Sequence, residues 1–200
     1  MKNPGQLIQE AKDGREAVLG SLLELYRNYL RLLAQIEIGR RLQGKLDASD
    51  LVQETFLEAH RNFGRFQGTD EPQFVRWLRQ ILAAKVANLV RHYFGTQRRD
   101  LRLEQKLAVE LDKSSRMLGH DLAASLSSPS QQAVKREQAV LLADALERLP
   151  PDYRNVIVLR HLEGLTFPEV ARRMERTQDS VEKLWLRGLA RLRQVFAEQG

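Results

Sequence analysis

The clearest hydrophobic pattern lies near the C-terminus, over residues 165–193, where apolar residues recur at the spacings of three and four that place them on one face of a helix. The first run is Phe167, Val170, Ala171 and Met174. The pattern breaks over residues 175–177 and resumes in a second run, Val181, Trp185, Gly188, Leu192 and Phe196. The sequence therefore predicts two helices that are joined by a short turn. Glycine costs about 1 kcal/mol against alanine inside a helix, so Gly188 indicates a close contact with another helix.

Two threonines mark where these helices begin. Thr166 has Glu169 three residues later, which is the spacing of a capping box, and Thr177 has the side chain of an N-cap. A short helix, a tight turn and a longer helix form the pattern of a helix-turn-helix. The outer face of the second helix carries Lys183 and Arg187, which suits DNA. An ordinary helical hairpin with a solvated basic face produces the same pattern and remains the alternative.

The N-terminal half predicts three longer helices, over residues 15–38, 47–63 and 71–93. The inward stripe of the second is Val52, Phe56, Ala59 and Phe63. Its outer face is acidic, since residues 47–58 hold four acids and no lysine or arginine. Acids in a first turn suit the helix dipole, but Glu54 and Glu58 lie beyond that turn. An acidic surface with an exposed Leu57 in a basic protein indicates a protein-binding face, with the dipole as the structural alternative.

Positive charge concentrates in the third predicted helix and just after it. Residues 71–102 hold seven basic and two acidic residues, a net charge of +5. Ring-bearing side chains accompany this charge, namely Phe66, Trp77, His92 and Tyr93. Cations that follow phosphates and rings that stack on bases suit single-stranded nucleic acid. The alternative is a solvated helix face with Trp77 in the core.

The region between the two halves loses this periodicity. Residues 101–132 end in a serine-rich run and are interpreted as a linker whose first half has helical character. Helices are predicted again over about residues 129–148 and 151–162, and no stretch predicts a strand. The expected fold class is all-α: an N-terminal helical domain over 1–100, a flexible linker over 101–132 and a helix-turn-helix domain over 133–200.

Composition narrows the function. The net charge of +6 and the pI of about 9.8 favour an anionic partner. The absence of cysteine excludes disulfides and thiolate metal sites. No apolar run approaches the ~18–20 residues of a membrane span, and the N-terminus lacks a signal-peptide pattern, so a cytoplasmic protein is expected. The four histidines lack metal-ligand spacing and no catalytic motif occurs, so we expect no enzyme activity, metal or cofactor.

Four segments in this order carry a family resemblance. DASDLVQETFLEAHRNFGRF at 47–66 is followed by FVRWLRQILAAKVANLVRHY at 74–93. ALERLPPDYRNVIVLRHLEGLTFPEVARRM at 145–174 and SVEKLWLRGLARLR at 180–193 complete the series. Together they resemble bacterial RNA polymerase sigma factors of the extracytoplasmic-function (ECF) group. The resemblance implies a first domain that docks on the clamp helices of the largest polymerase subunit and melts the downstream promoter element. It implies a second domain whose recognition helix enters the major groove of the upstream element.

The resemblance also assigns residues. The polymerase-binding residues would be Asp50, Gln53, Glu54 and Leu57. The single-stranded downstream element would meet Arg65, Phe66, Arg79, Lys85, Asn88, Arg91 and His92. The upstream duplex would meet Ser180, Lys183 and Arg187, and Gln178 joins them because it lies at the N-terminal end of the same helix. The implied partners are core RNA polymerase and promoter DNA, with an anti-sigma factor as a further candidate.

Three positions depart from the family pattern. Ala84 stands where such sequences often have asparagine, and Leu184-Trp185 replace a commoner polar-basic pair. The competing hypothesis is an autonomous helix-turn-helix repressor or activator, which gives no role to the acidic helix and usually requires a dimer. A polymerase-binding regulator that never contacts DNA is the third hypothesis.

Overall fold

The computed structural model describes residues 3–42, 47–94, 101–122 and 138–198, and every regular element within those ranges is helical. The predicted all-α class is therefore confirmed. The chain divides into two compact units, residues 1–113 and 114–200. Across the described ranges, no helix combines the length and the apolar character that crossing a bilayer requires.

The first unit is built around three helices that pack against one another in pairs, α3, α4 and α5. Its elements in chain order are α1 (Pro4–Lys12), α2 (Glu16–Glu24), α3 (Arg27–Leu42), α4 (Ala48–Asn62), α5 (Glu71–Phe94) and α6 (Leu101–Arg116). A single turn of 3-10 helix over Phe63–Arg65 follows α4. The apolar faces enclose a core in which Tyr26, Leu30, Phe74 and Leu78 are fully buried. α4 and α5 thus lie where the sequence predicts them.

The predicted single helix over residues 15–38 is wrong, because the chain breaks between α2 and α3. The amides of Leu25 and Tyr26 bond carbonyls only three residues back, which tightens the end of α2. The Tyr26 side chain is fully buried, and its hydroxyl donates to the carboxylate of buried Glu71 at 3.1 Å. Tyr26 and Glu71 are 45 residues apart, so the hydrophobic spacing within residues 15–38 does not predict this break.

The first half of the predicted linker is the helix α6, and the division between the units falls after Lys113 rather than at residue 100. The chain continues as π-helical turns over Met117–Leu122. Residues 123–137 lie outside the described residues. The flexibility predicted for the rest of the linker, up to residue 132, therefore stays a prediction.

The second unit contains the predicted helix-turn-helix. Its helices in chain order are α7 (Gln138–Glu147), α8 (Pro151–Ile157, extended by π-helical turns over Val158–Leu162), α9 (Phe167–Arg173) and α10 (Gln178–Ala197). The helix-turn-helix is formed by α9 and α10. α10 packs against α7, α8 and α9, and its buried side includes Val181 and Leu192. The turn between α9 and α10 passes through Glu175, whose φ of 54° lies in the left-handed region. The chain reverses there without a glycine.

Candidate functional site

The outer face of α4 is acidic and solvent-exposed. Asp50, Gln53 and Glu54 are exposed, and Leu57 exposes 58% of its surface. No ion pair involves Asp50 or Glu54 in the part of the chain that the structure describes. The buried side of the helix includes Val52 and Ala59, as its spacing predicts. The face is therefore a charged surface with one apolar side chain.

The other two acids of this segment have local partners. Asp47 caps α4 by accepting the backbone N–H of Ser49 at 2.8 Å. Hydrogen bonds from the backbone and then the side chain of Ser49 lower the pKa of the Asp47 carboxyl. Glu58 accepts from Lys85 at 3.1 Å and from the Asn62 amide at 2.6 Å. The hydrogen bond from Lys85 is the main cause of the lowered pKa of Glu58. Local bonds thus account for Asp47 and Glu58, and the helix dipole accounts for Asp50, which lies in the first turn of α4. Glu54 has neither explanation and is left for a partner.

The segment after α4 and the first turns of α5 form an aromatic cluster of Phe63, Phe66, Phe74 and Trp77. The Phe66 ring lies 5.0 Å from the Trp77 ring and 5.5 Å from the Phe74 ring, measured between centroids. It is only 8% exposed, and the Lys12 ammonium of α1 lies 5.5 Å from its centroid. The neighbouring Arg65 is exposed. In this conformation the Phe66 ring packs in the cluster and offers no free face for a base, so its predicted stacking role requires the loop to move.

Two of the arginines predicted for DNA hold α6 instead of facing solvent. Arg79 Nε lies 2.7 Å from Asp112 Oδ1, and Arg91 Nη1 lies 3.3 Å from Glu104 Oε1. Both arginine side chains are only 13% exposed. Arg79 also donates to the Tyr29 hydroxyl at 2.8 Å. The predicted basic stripe is therefore not one open surface.

An open cleft of about 370 Å³ lies between α4 and α5. Its lining is Glu58, Asn62, Gln80, Ile81, Ala84, Lys85 and Asn88. Polar groups of both hydrogen-bonding types meet there, since amides donate and accept, the ammonium donates and the carboxylate accepts. Only Lys85 and Asn88 of this lining were predicted as DNA-binding residues. Gln80, Ala84 and Asn88 recur every four residues along α5, which is the sequence signal that would have identified one side of the cleft.

Ala84 limits how specific the cleft can be. A methyl group stands on the wall where an asparagine would supply a donor and an acceptor. Gln80 and Asn88, one turn away on either side, retain amide groups at the cleft. Exposed His92 lies one further turn along, with its ring edge-on to Tyr93 at 6.1 Å.

The recognition helix α10 begins as its sequence predicts. Thr166 and Glu169 form the capping box of α9, and Thr177 accepts the N–H of Ser180 at 3.3 Å at the start of α10. Lys183 and Arg187 are exposed on the outer face. Lys183 Nζ lies 2.7 Å from Asp179 Oδ2, but both side chains are well exposed. Such a surface pair contributes little to stability, so a phosphate or a base can replace Asp179.

The remaining predicted residues of α10 lie at its N-terminal end. Gln178 is exposed and donates to the Glu182 carboxylate at 2.8 Å. Ser180 is half-buried. All four predicted residues therefore lie within the first three turns of one helix, and the structure brings them together on or beside its outer surface.

Trp185 and Gly188 fix α10 against the unit. The Trp185 indole N–H donates to His161 Nε2 at 2.9 Å, and the two rings stack with centroids 5.9 Å apart. A Cβ at Gly188 would lie 3.4 Å from the Tyr153 carbonyl oxygen, which confirms the predicted close helix contact. Burial, and then the charge of Arg160, lower the pKa of His161. Trp185, one of the departures from the family pattern, is therefore a packing residue.

Two family models match the chain in order. The model described as Sigma-70 region 2 matches residues 25–98, which include α4 and α5. The model described as Sigma-70, region 4 matches residues 139–192, which include α9 and most of α10. The two matches fall in different structural units.

Two curated relatives named as ECF sigma factors match most of this chain. The ECF RNA polymerase sigma factor BldN of Streptomyces coelicolor is 29% identical over 195 residues, which cover 96% of this chain and 66% of BldN. The ECF RNA polymerase sigma-E factor of Haemophilus influenzae is 27% identical over 172 residues, covering 84% of this chain and 82% of that protein. Among solved structures, CnrH in complex with the cytosolic domain of CnrY is 23% identical and covers 98% of both chains, with a TM-score of 0.37. Because this TM-score is low, the fold is described from the helices of this chain and not from that structure.

Proposed function

The chain belongs to the sigma factors of the ECF group, and from that membership we propose that it directs core RNA polymerase to promoters and starts transcription there. The observation that carries the proposal is the pairing of the two matched regions with two different surfaces. One unit presents an acidic helix face, and the other presents a helix-turn-helix with outward cations. An autonomous repressor needs only the second of these. The protein accordingly acts in the cytoplasm, where the polymerase is. The chain itself is assigned no catalytic step.

The acidic face of α4 is the proposed polymerase anchor. Asp50, Gln53, Glu54 and Leu57 are exposed together while the opposite side of the helix is buried. An apolar side chain surrounded by polar and charged residues has the arrangement of an interface centre with a polar rim. The clamp helices of the largest polymerase subunit, which the family resemblance supplies, are the proposed partner surface.

The cleft between α4 and α5 is the proposed place where an unstacked base of the downstream element is held. Its volume and its mixed donors and acceptors suit a nucleobase edge. Asn88 belongs to the cleft, where its Oδ1 accepts from Arg91, and exposed Arg65 and His92 are left to follow the strand outside it. Arg79 and Arg91 reach the strand only after their ion pairs with α6 are exchanged for phosphates. We assign Phe66 to packing within the aromatic cluster.

Helix α10 is the proposed reader of the upstream duplex. Lys183 and Arg187 lie one turn apart on the outer face, and Gln178 and Ser180 lie at the N-terminal end that helix-turn-helix proteins direct at base edges. Residues 134–200 have twelve basic and ten acidic residues, a net charge of only +2. A domain with so little excess charge gains little from the phosphates. Its binding therefore depends on being tethered through the first unit, which raises its effective concentration at the promoter.

An anti-sigma factor remains a proposed partner on the family resemblance alone.

A gel shift with and without core polymerase tests the proposal against the autonomous repressor. Promoter fragments selected by the polymerase complex should shift only when both core polymerase and the chain are present. A specific shift by the chain alone, at the same concentration and salt, would favour the repressor. The salt must be fixed, because affinity for DNA falls steeply with ionic strength.

A further inference from the structure

One large apolar side chain in the described part of the second unit is exposed, and it lies on the recognition helix. Leu186 exposes 60% of its surface in the third turn of α10. The other large apolar side chains of that helix are buried or half-buried against the rest of the unit. Leu186 therefore faces the side that the proposed function turns towards DNA.

The outward direction of Leu186 is fixed by the residues around it. Trp185 is held on the inner side by its hydrogen bond to His161, and Gly188 lies against Tyr153. Successive residues of a helix are about 100° apart, so Leu186 cannot turn inward while both neighbours keep these contacts. Its exposure is a consequence of the packing of α10 and not of a loose helix end.

Leu186 lies among the cations of the outer face. Lys183 is one turn before it and Arg187 is the next residue, and both are exposed. With those two side chains against the phosphates and base edges of a major groove, Leu186 would approach the same groove. Among the groups that base pairs present there, the thymine 5-methyl group is the apolar one. A leucine over an amino or carbonyl group would leave that group without a hydrogen-bond partner.

We propose that Leu186 is a specificity-determining residue that covers the 5-methyl group of a thymine in the upstream promoter element. The inference rests on the proposed function, because it requires α10 in the major groove. Lys183 and Arg187 supply attraction to the duplex, and Leu186 adds discrimination for thymine at one position. A solitary leucine exposed on a surface is otherwise unremarkable, and that alternative predicts no dependence of binding on the methyl group.

Replacement of single thymines by deoxyuridine tests the contact, because it removes the methyl group and changes nothing else on the base edge. The complex of core polymerase with the complete chain is titrated against a promoter found by selection, and each upstream thymine is replaced in turn. At one position the wild-type complex should bind about fourfold more weakly, which corresponds to the ~0.8 kcal/mol of burying one methylene-sized group.

Two variants complete the experiment. With Leu186→Ala, binding to the thymine promoter should weaken by several fold, and deoxyuridine at that position should cause no further loss. Val109→Ala removes an equally exposed apolar side chain, 63% exposed on α6, and should keep the full wild-type response to deoxyuridine.

Three results would overturn the inference. The first is a wild-type complex that binds thymine and deoxyuridine equally at every upstream position. The second is an unchanged response to deoxyuridine in Leu186→Ala. A complex that shows no upstream sequence preference at all would contradict the proposed function and the inference with it, whereas the first two results leave the proposed function standing.

Discussion

Replacing Phe66 separates a structural role of this ring from a role in promoter opening. The ring is 8% exposed and contacts three other aromatic rings, with centroid distances of 5.0 Å to Trp77, 5.5 Å to Phe74 and 6.0 Å to Phe63. Truncation of a buried phenylalanine to alanine costs about 3–5 kcal/mol. Because Phe66 lies in a loop that can partly close the gap, we expect the lower end for Phe66→Ala, about 3 kcal/mol. A domain whose total stability is about 5–15 kcal/mol would lose a large part of it.

Urea unfolding of the complete chain measures this loss. Tryptophan fluorescence is a suitable signal, since Trp77 belongs to the Phe66 cluster and Trp185 reports on the second unit. The transition of the first unit should move to lower urea concentration, while that of the second should stay in place. Separate transitions also provide an internal control for the comparison of variants.

Phe66→Leu is the matched variant, because it keeps most of the buried apolar volume and removes the aromatic face. A volume-conserving exchange of this kind usually costs less than about 1.5 kcal/mol. At a temperature where the variant is folded, permanganate footprinting should then show a normal transcription bubble. If Phe66→Ala destabilised the first unit by less than about 1 kcal/mol while both variants lost the bubble, the ring would act on DNA and the argument from burial would be refuted.

The other predictions concern the acidic face, the recognition helix and one histidine. Glu54→Lys combined with Leu57→Ala should weaken binding to core polymerase by more than about 2 kcal/mol in a titration, with the melting temperature nearly unchanged; retained binding would contradict the anchor. Lys183→Ala should change the upstream motif recovered from a randomised promoter library, whereas Arg187→Ala should lower output from every promoter alike; identical motifs for wild type and Lys183→Ala would remove Lys183 as a base reader. The pKa of His161 is lowered in the folded chain, so near and below pH 6.5, the ordinary value, the unfolded chain binds more protons than the folded chain. The free energy of unfolding should therefore fall as pH decreases through and below 6.5. A His161→Gln variant that keeps the same pH dependence would contradict this assignment.

Local signals in the sequence predicted much of this structure. Thr166 and Thr177 cap helices where the sequence predicts them. Caps depend on bonds within three residues, and helical periodicity depends on neighbours three and four residues apart, so both can be found without a fold. The acidic face of α4 was visible for the same reason, since its charge and its apolar stripe lie in one short segment.

Contacts between distant residues were not predictable in this way. Arg79 and Asp112 are 33 residues apart and belong to different helices, so a basic residue on α5 looked available for DNA although it holds α6. Phe66 lies between glycines in a loop, where the sequence pattern is the same for an exposed and a buried ring. The cleft is lined by both α4 and α5, so the sequence alone does not predict that Asn62 and Gln80 lie beside Asn88.

Promoter-directed initiation can be measured by in vitro transcription with core polymerase and genomic fragments, with and without the chain. Run-off transcripts should appear from a specific set of fragments only when the chain is present. They should be lost with the Glu54→Lys, Leu57→Ala double variant, whose fold we expect to be kept. Identical transcript sets with and without the chain, or a double variant as active as wild type, would show that the chain is not a sigma factor anchored through α4.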